Sequence, residues 1–241
     1  MHHIIPNWPA PKSIKAFSST RVGGVSQGQY QGLNLGAHVG DNVTDVENNR
    51  ASIAQTFAMP APPIWLNQTH STRVLRAESP QLDTLDADGI CTALPHVVCT
   101  VMTADCLPVL ITNTSGTQVA AVHAGWRGLA GGIIENALAQ IHGEALVWLG
   151  PAIGPDKFEV GDDVVEAFTH VHEQTQQAFL PQENGKWLAD MEAITRIRLH
   201  ALGVDGVYSC KLCTYQHPKQ FYSYRRDGVT GRQASFIWIQ P

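Results

Sequence analysis

The stretch HVVCTVMTADCLPVLITNTSGTQVAAVHAGWRGLAGGIIENALAQIHG, residues 96–143, narrows the possible folds more than any other part of the chain. Val97–Met102 and Leu107–Thr112 are apolar, β-rich runs, Asn113–Thr117 is a polar turn around Gly116, and Gln118–His123 is another apolar run. The order predicts strand, loop, strand, turn, strand. After Trp126, the residues Leu129, Ile133, Ile134, Ala137, Leu138 and Ile141 recur at helical spacing, and Gly143 stands where that helix should stop.

The flanks extend the pattern. A short strand around Ile14–Ser18 runs into a glycine-rich loop system, and Asp41 or Asn42 with Asp45 opens a helix that ends before Pro60, Pro62 and Pro63. IWLNQTH reads as a short strand, ALVWLGPAIGP as a buried strand entering a turn, and VGDDVVEAFTHVHEQ as a helix with an acidic first turn. A further helix is expected over Leu188–Leu202, with late strands in VDGVYSC and QASFIWIQ. Strand pairs on short turns, mixed with helices on their faces, predict an α+β or α/β layered fold with mixed sheets. With no repeat and no long linker, residues 1–241 are expected to form a single domain.

Composition bounds the function. An apolar share of 44% and a charged share of 15% describe an ordered globular chain, and a net charge of −5 argues against a nucleic-acid polymer as the main ligand. No apolar run is long enough to span a bilayer, and the N-terminal segment lacks a secretory signal, so a cytoplasmic location is expected. Five scattered cysteines are expected to be reduced. No glycine pattern matches a dinucleotide-binding fingerprint.

Closing the hairpin about Asn113–Thr117 sets Cys106 beside His123, close enough to share a metal or a proton. A bare Cys–His pair of this kind serves equally well as core thiol and satisfied histidine. His70, in NQTHST, is the third candidate, although no spacing ties it to the pair. One thiolate and two imidazoles suit zinc and leave a fourth position for water or substrate. Asp105, next to Cys106, is a candidate for orienting a ligand or moving a proton, and Arg21, Arg127, Arg225 and Arg226 are candidate anion clamps. The Cys210–Cys213 C-x-x-C, without a second pair, is a weak signal, and Cys91 and Cys99 read as core filler.

Seven motifs taken together resemble one family: T-R-x-G-G-V-S (Thr20–Ser26), L-N-L-G (Leu33–Gly36), Q-T-H (Gln68–His70), A-D-C-L-P-V (Ala104–Val109), H-A-G-W-R-G (His123–Gly128), G-P-A-I-G-P (Gly150–Pro155) and F-Y-S-Y-R-R-D-G-V-T-G-R (Phe221–Arg232). In this order they resemble the YfiH/laccase-domain family, also called multicopper polyphenol oxidoreductase or peptidoglycan editing factor. The resemblance implies a four-layer α/β/β/α sandwich, similar to certain bacterial toxin deamidases and to a cysteine-hydrolase fold. It also implies a zinc site on His70, Cys106 and His123, with Cys106, Asp105 and His123 as catalytic residues. Arg21, Asn34, Arg127 and Arg225 are the implied substrate-binding residues.

The implied activity is phosphorolysis of adenosine, inosine or guanosine together with deamination of adenosine, on a small-molecule nucleoside and phosphate, with no nucleic-acid polymer and no membrane partner. A monomer is the starting expectation. The H-x-E with P-C-x-x-C signature of other zinc deaminases is absent, so any deamination would run on a different scaffold. Three other readings stand beside it: a copper-dependent polyphenol oxidoreductase, a metal-free Cys–His hydrolase, and a non-enzymatic factor for cell-wall precursors. A laccase needs several copper centres, and the histidines here are dispersed.

Overall fold

The structure, a computed structural model, describes residues 1–80, 82 and 85–240. Its strands are β1 (His3–Ile4), β2 (Ile14–Ser19), β3 (Val74–Arg76), β4 (Gly89–Thr92), β5 (Cys99–Thr103), β6 (Leu107–Asn113), β7 (Val119–Ala124), β8 (Ala145–Leu149), β9 (Glu159–Val160), β10 (Phe179–Pro181), β11 (Trp187–Ala189), β12 (Gly206–Ser209) and β13 (Gln233–Ile239). The helices are α1 (Val43–Thr56), α2 (Trp126–Gly131), α3 (Ile133–Leu138), α4 (Asp162–Thr169), α5 (Met191–Ala201) and α6 (Tyr224–Asp227).

Six strands form one sheet in the order β12-β8-β6-β7-β4-β3, four form another in the order β1-β2-β13-β5, and β10-β11-β9 make a small third. In the large sheet β12 runs parallel to β8 and β3 parallel to β4, while β8-β6-β7-β4 are antiparallel, so the sheet is mixed as expected.

Three apolar clusters separate four layers. Ile53 of α1, together with Leu33 and Leu35 of the segment before that helix, covers Phe17, Phe236 and Trp238 on the outer face of the four-stranded sheet. Val101 and Ile237 of that sheet meet Ile90, Leu110, Ala121 and Trp148 of the large one. On the far side, Val109, Ile111, Ala120 and Val122 lie under Leu129, Ile133, Val164 and Ile194 of the helices. This is the α/β/β/α sandwich. Strands apolar on both sides are what a sheet covered on both faces requires.

The two-residue alternation of β7 puts Ala120, Val122 and Ala124 under the helices and Val119 and Ala121 between the sheets. His123 therefore belongs to the inter-sheet face, at the strand's end, and the site sits at the mouth between the two sheets.

Four local expectations need correction. The hairpin register is Thr112 with Val119 and Pro108 with His123, two positions from a pairing of Cys106 with His123. The Asn113 side chain closes the turn by accepting from the Thr117 and Gln118 amides, which fixes Thr112 and Val119 as its last pair. Cys106 then lies just before β6, diagonal to His123. The helix after Trp126 is broken into α2 and α3, because Gly132 adopts φ 100, a conformation open to glycine that ends one helix and starts the next. Leu188 belongs to β11, and α5 starts after Asp190, whose carboxylate accepts from the Ala193 amide as an N-cap. IWLNQTH forms only isolated bridges at Ile64 and Asn67.

Candidate metal centre

One group of three convergent metal-ligating side chains exists among the described residues: His70, Cys106 and His123, with one donor atom from each lying within 4.8 Å of the others. Cys106 Sγ is 3.8 Å from His70 Nε2, and the two imidazoles meet edge to face with centroids 4.8 Å apart. Tetrahedral zinc with bonds of roughly 2.0–2.3 Å would separate its ligands by about 3.5 Å, so a small contraction accommodates an ion. His123 Nδ1 is engaged by Asp88 at 2.8 Å, which leaves Nε2 as its donor atom.

Asp88 organises both histidines. It is fully buried just before β4, and its carboxylate accepts from His123 Nδ1, from the Thr69, His70 and Ser71 amides and from the Ser71 hydroxyl. The His123 amide in turn donates to the Asp88 carbonyl at 2.7 Å. His70 stands on an exposed turn at φ 62. Gln68 anchors that turn: its amide donates to the Met102 carbonyl and accepts from the Met102 amide, both at 2.7 Å, so it pairs with β5 as a strand residue would. Gly125 closes the third side. A Cβ there would fall 2.5 Å from His70 Cδ2 and 3.4 Å from Cys106 Sγ, so the chain can pass behind the cluster only as glycine.

Charges within the cluster reinforce one another. Burial alone would push the Cys106 thiol up, but His123 and His70 outweigh it and bring the thiol below its usual value. Burial would lower His123, yet the Cys106 charge and Asp88 raise it. The Asp88 carboxyl, also opposed by burial, is held well below the carboxylate range by its hydrogen bonds from His123 and Ser71. The cluster opens into a cavity of about 350 Å³ lined also by His38, Gln68, Met102, Tyr224 and Arg232.

The other candidates from the sequence lie elsewhere. Asp105 precedes Cys106 at φ 92 with its carboxylate turned away from the cavity, accepting from the Thr214 and Ser223 hydroxyls and the Arg225 amide. It ties the Tyr224 turn to the Cys106 loop. Asn34 is buried and holds the Arg232 amide at 2.8 Å, so it supports a cavity residue without lining the cavity. Arg21 stacks on Tyr222 and donates to the Pro218 and Gln31 carbonyls. Arg127 is exposed and stacks on Trp126. Arg225 reaches the Glu159 carbonyl, and Arg226 binds three carbonyls and Asp227.

The arginine that lines the cavity is Arg232, and the carboxylate that serves the cluster is Asp88. Neither has a spacing that marks it: Arg232 ends a quoted motif, and Asp88 is one acid among several ahead of β4. Cys91, Cys99 and Cys213 are buried and all five cysteines are free.

An α/β/β/α sandwich with a Cys–His–His cluster at the end of its inter-sheet core defines the class. A family model described as multi-copper polyphenol oxidoreductase laccase matches residues 15–240, and the chain belongs to that family. It is 48% identical to the Haemophilus influenzae purine nucleoside phosphorylase over 100% of both chains. It is also 48% identical to the Escherichia coli K12 purine nucleoside phosphorylase YfiH over 98% of each. A crystal structure of a Neisseria meningitidis protein superposes with a TM-score of 0.96 at 47% identity, covering 100% of both chains. Among the described residues no helix is long and apolar enough to cross a membrane.

Proposed function

We propose that this chain is a zinc-dependent purine nucleoside phosphorylase that also deaminates adenosine, working in the cytoplasm as a single-domain monomer. The observation that carries the reading is the three-donor cluster, open on one side to a cavity that also holds Arg232. The names of the Haemophilus influenzae and Escherichia coli relatives support the substrate class.

His70, Cys106 and His123 would hold the ion, and zinc so bound supplies Lewis-acid chemistry at its remaining position. Asp88 keeps His123 in the tautomer whose Nε2 faces the cluster. Arg232, its backbone fixed by Asn34 and its Nη1 donating to the Thr230 and Gly231 carbonyls, offers the rest of its guanidinium to phosphate at the cavity wall, the part assigned from the sequence to Arg21, Arg127 or Arg225. Tyr224, 62% exposed at the cavity rim, presents an aromatic face for a purine base. Copper is the alternative ion. A single convergent cluster among the described residues supplies one centre, fewer than a multicopper oxidase needs.

The decisive experiment incubates purified protein with adenosine, inosine and guanosine, with and without phosphate. Ribose 1-phosphate formed only with phosphate, and inosine formed from adenosine, are the expected products. Absence of any free base or inosine sinks the reading. A second reading rests on the Cys106–His123–Asp88 chain, which has the order of a nucleophile, its base and an orienting acid. It requires activity that survives chelation and a covalent adduct on Cys106, whereas the zinc reading requires activity that chelation removes and zinc restores.

A further inference from the structure

The cleft continues past the proposed reaction site. A second cavity of about 1180 Å³ adjoins the first, and His38 and Met102 line both. Its walls are mostly apolar, with Pro62, Pro63, Ile64 and Trp65, and among the described residues one permanent cation, Arg50, lines it.

Arg50 is held firmly. Its Nε and Nη2 both donate to the Leu35 carbonyl, at 2.9 and 2.8 Å, and the guanidinium lies 4.0 Å from the Trp65 ring centroid. Nη2 also approaches Met102 Sδ at 3.8 Å, so one side chain separates this cation from the inner cavity. Burial draws Arg50 down to about 10, and Glu47, one turn earlier on α1, offsets only part of that. Among the described residues no carboxylate forms an ion pair with it. Half-burying an unpaired cation costs stability, and a guanidinium fixed by a carbonyl and an aromatic face is already ordered for an anion.

The segment Leu33–Gly36 sets the spacing of both arginines. Its Leu35 carbonyl takes Arg50, its Leu35 amide donates to the Arg232 carbonyl, and its Asn34 side chain takes the Arg232 amide. Arg232 thereby stands at the inner cavity and Arg50 at the outer one, with His38 between them. Burial, then Arg232 and Arg50, push His38 below its usual value, a mark of the positive field along this wall. No aspartate or glutamate among the described residues lines either cavity, in a chain whose net charge is −5.

We propose that the outer groove is a second anion subsite that takes a phosphate covalently attached to the nucleoside, so that purine nucleoside 5′-monophosphates bind across both cavities. This rests on the purine nucleoside reading above. A tethered phosphate fits better than a free one, because among the described residues the groove offers a single fixed guanidinium among mostly apolar walls, and the tether removes most of the entropic cost of placing the anion there.

Equilibrium binding of adenosine and of adenosine 5′-monophosphate to the zinc-loaded full chain, at matched ionic strength, tests this, with nucleoside turnover measured in parallel. The nucleotide is expected to bind about tenfold tighter, the increment of one charge-assisted contact. That ratio should fall to near one in Arg50→Gln. It should fall likewise in Ala37→Glu, which sets a carboxylate in the groove while keeping the Arg50 packing and so decides the matter if Arg50→Gln does not fold. Inorganic phosphate should leave the ratio unchanged. A ratio near one in the unmodified protein, a ratio that survives both substitutions, or free phosphate cancelling the advantage through Arg50 overturns the proposal. Turnover of nucleosides with a ratio of one sinks the subsite alone. A nucleotide advantage without turnover upholds the subsite and sinks the reaction assigned above.

Discussion

The two histidines of the cluster are held in opposite ways. His123 is 4% exposed, at the end of a strand paired on both sides, while His70 is exposed on a left-handed turn outside any strand. One carboxylate, Asp88, binds the side chain of the first and the backbone of the second. The sheet thus supplies a rigid donor, and a loop becomes nearly as fixed because buried acceptors take its amide hydrogens. A mobile donor would weaken the ion's hold, since the gain on binding is reduced by the entropy of ordering the loop.

The largest expected effect comes from removing a donor outright. Cys106→Ala or His123→Ala should lower nucleoside turnover by about 10³-fold or more and leave the purified protein with less than stoichiometric zinc. Metal analysis beside a turnover assay checks this, and a Cys106→Ala protein with normal turnover would break the metal reading outright. Gly125→Ala attacks the loop side from behind. Its φ of −66 suits alanine, so the damage should come from the 2.5 Å approach to His70. A shift of about 1 Å there predicts roughly 10²-fold lower turnover with a melting temperature close to that of the unmodified protein.

Asp88→Asn strikes both histidines together, and zinc affinity should weaken about 10–100-fold in a chelator competition. The same variant carries a pH signature. Because the Asp88 carboxyl titrates below its usual range in the folded state, its stabilisation is complete above about pH 4–5 and is lost as pH falls through the ordinary carboxylate range towards the folded value. The melting temperature of the unmodified, metal-free protein should therefore drop more steeply below pH 5 than that of Asp88→Asn. Parallel acid profiles would contradict the assigned role. Gln68→Ala, which removes two hydrogen bonds between the His70 turn and β5, should cost about 1–3 kcal/mol in denaturant unfolding and weaken zinc binding only a few-fold.

The mildest test is chemical. Without metal at pH 7, Cys106 should alkylate first, because His123 and His70 lower its thiol while burial raises Cys91 and Cys210 to about 11 and pushes Cys99 well above its usual value. Zinc should protect Cys106, and mass spectrometry of the labelled peptides reads both outcomes. Labelling of Cys91 or Cys99 ahead of Cys106 would contradict the electrostatic account.

By itself the sequence determined what depends on neighbours along the chain. The apolar runs of β6 and β7, the Asn113–Thr117 turn and the cap at Asn42 are local patterns, and they brought Cys106 and His123 to one end of one hairpin. Family motifs supplied His70. Tertiary structure decided the rest, because it depends on partners far apart in the chain. Asp88 reaches His123 across 35 positions, and Asp105 spends its carboxylate on Thr214, Ser223 and Arg225, more than 100 positions away. A buried carboxylate goes to whichever donors the packed core presents to it. No spacing rule reveals those donors, so the acid next to Cys106 became a strut and a distant one came to serve the histidines.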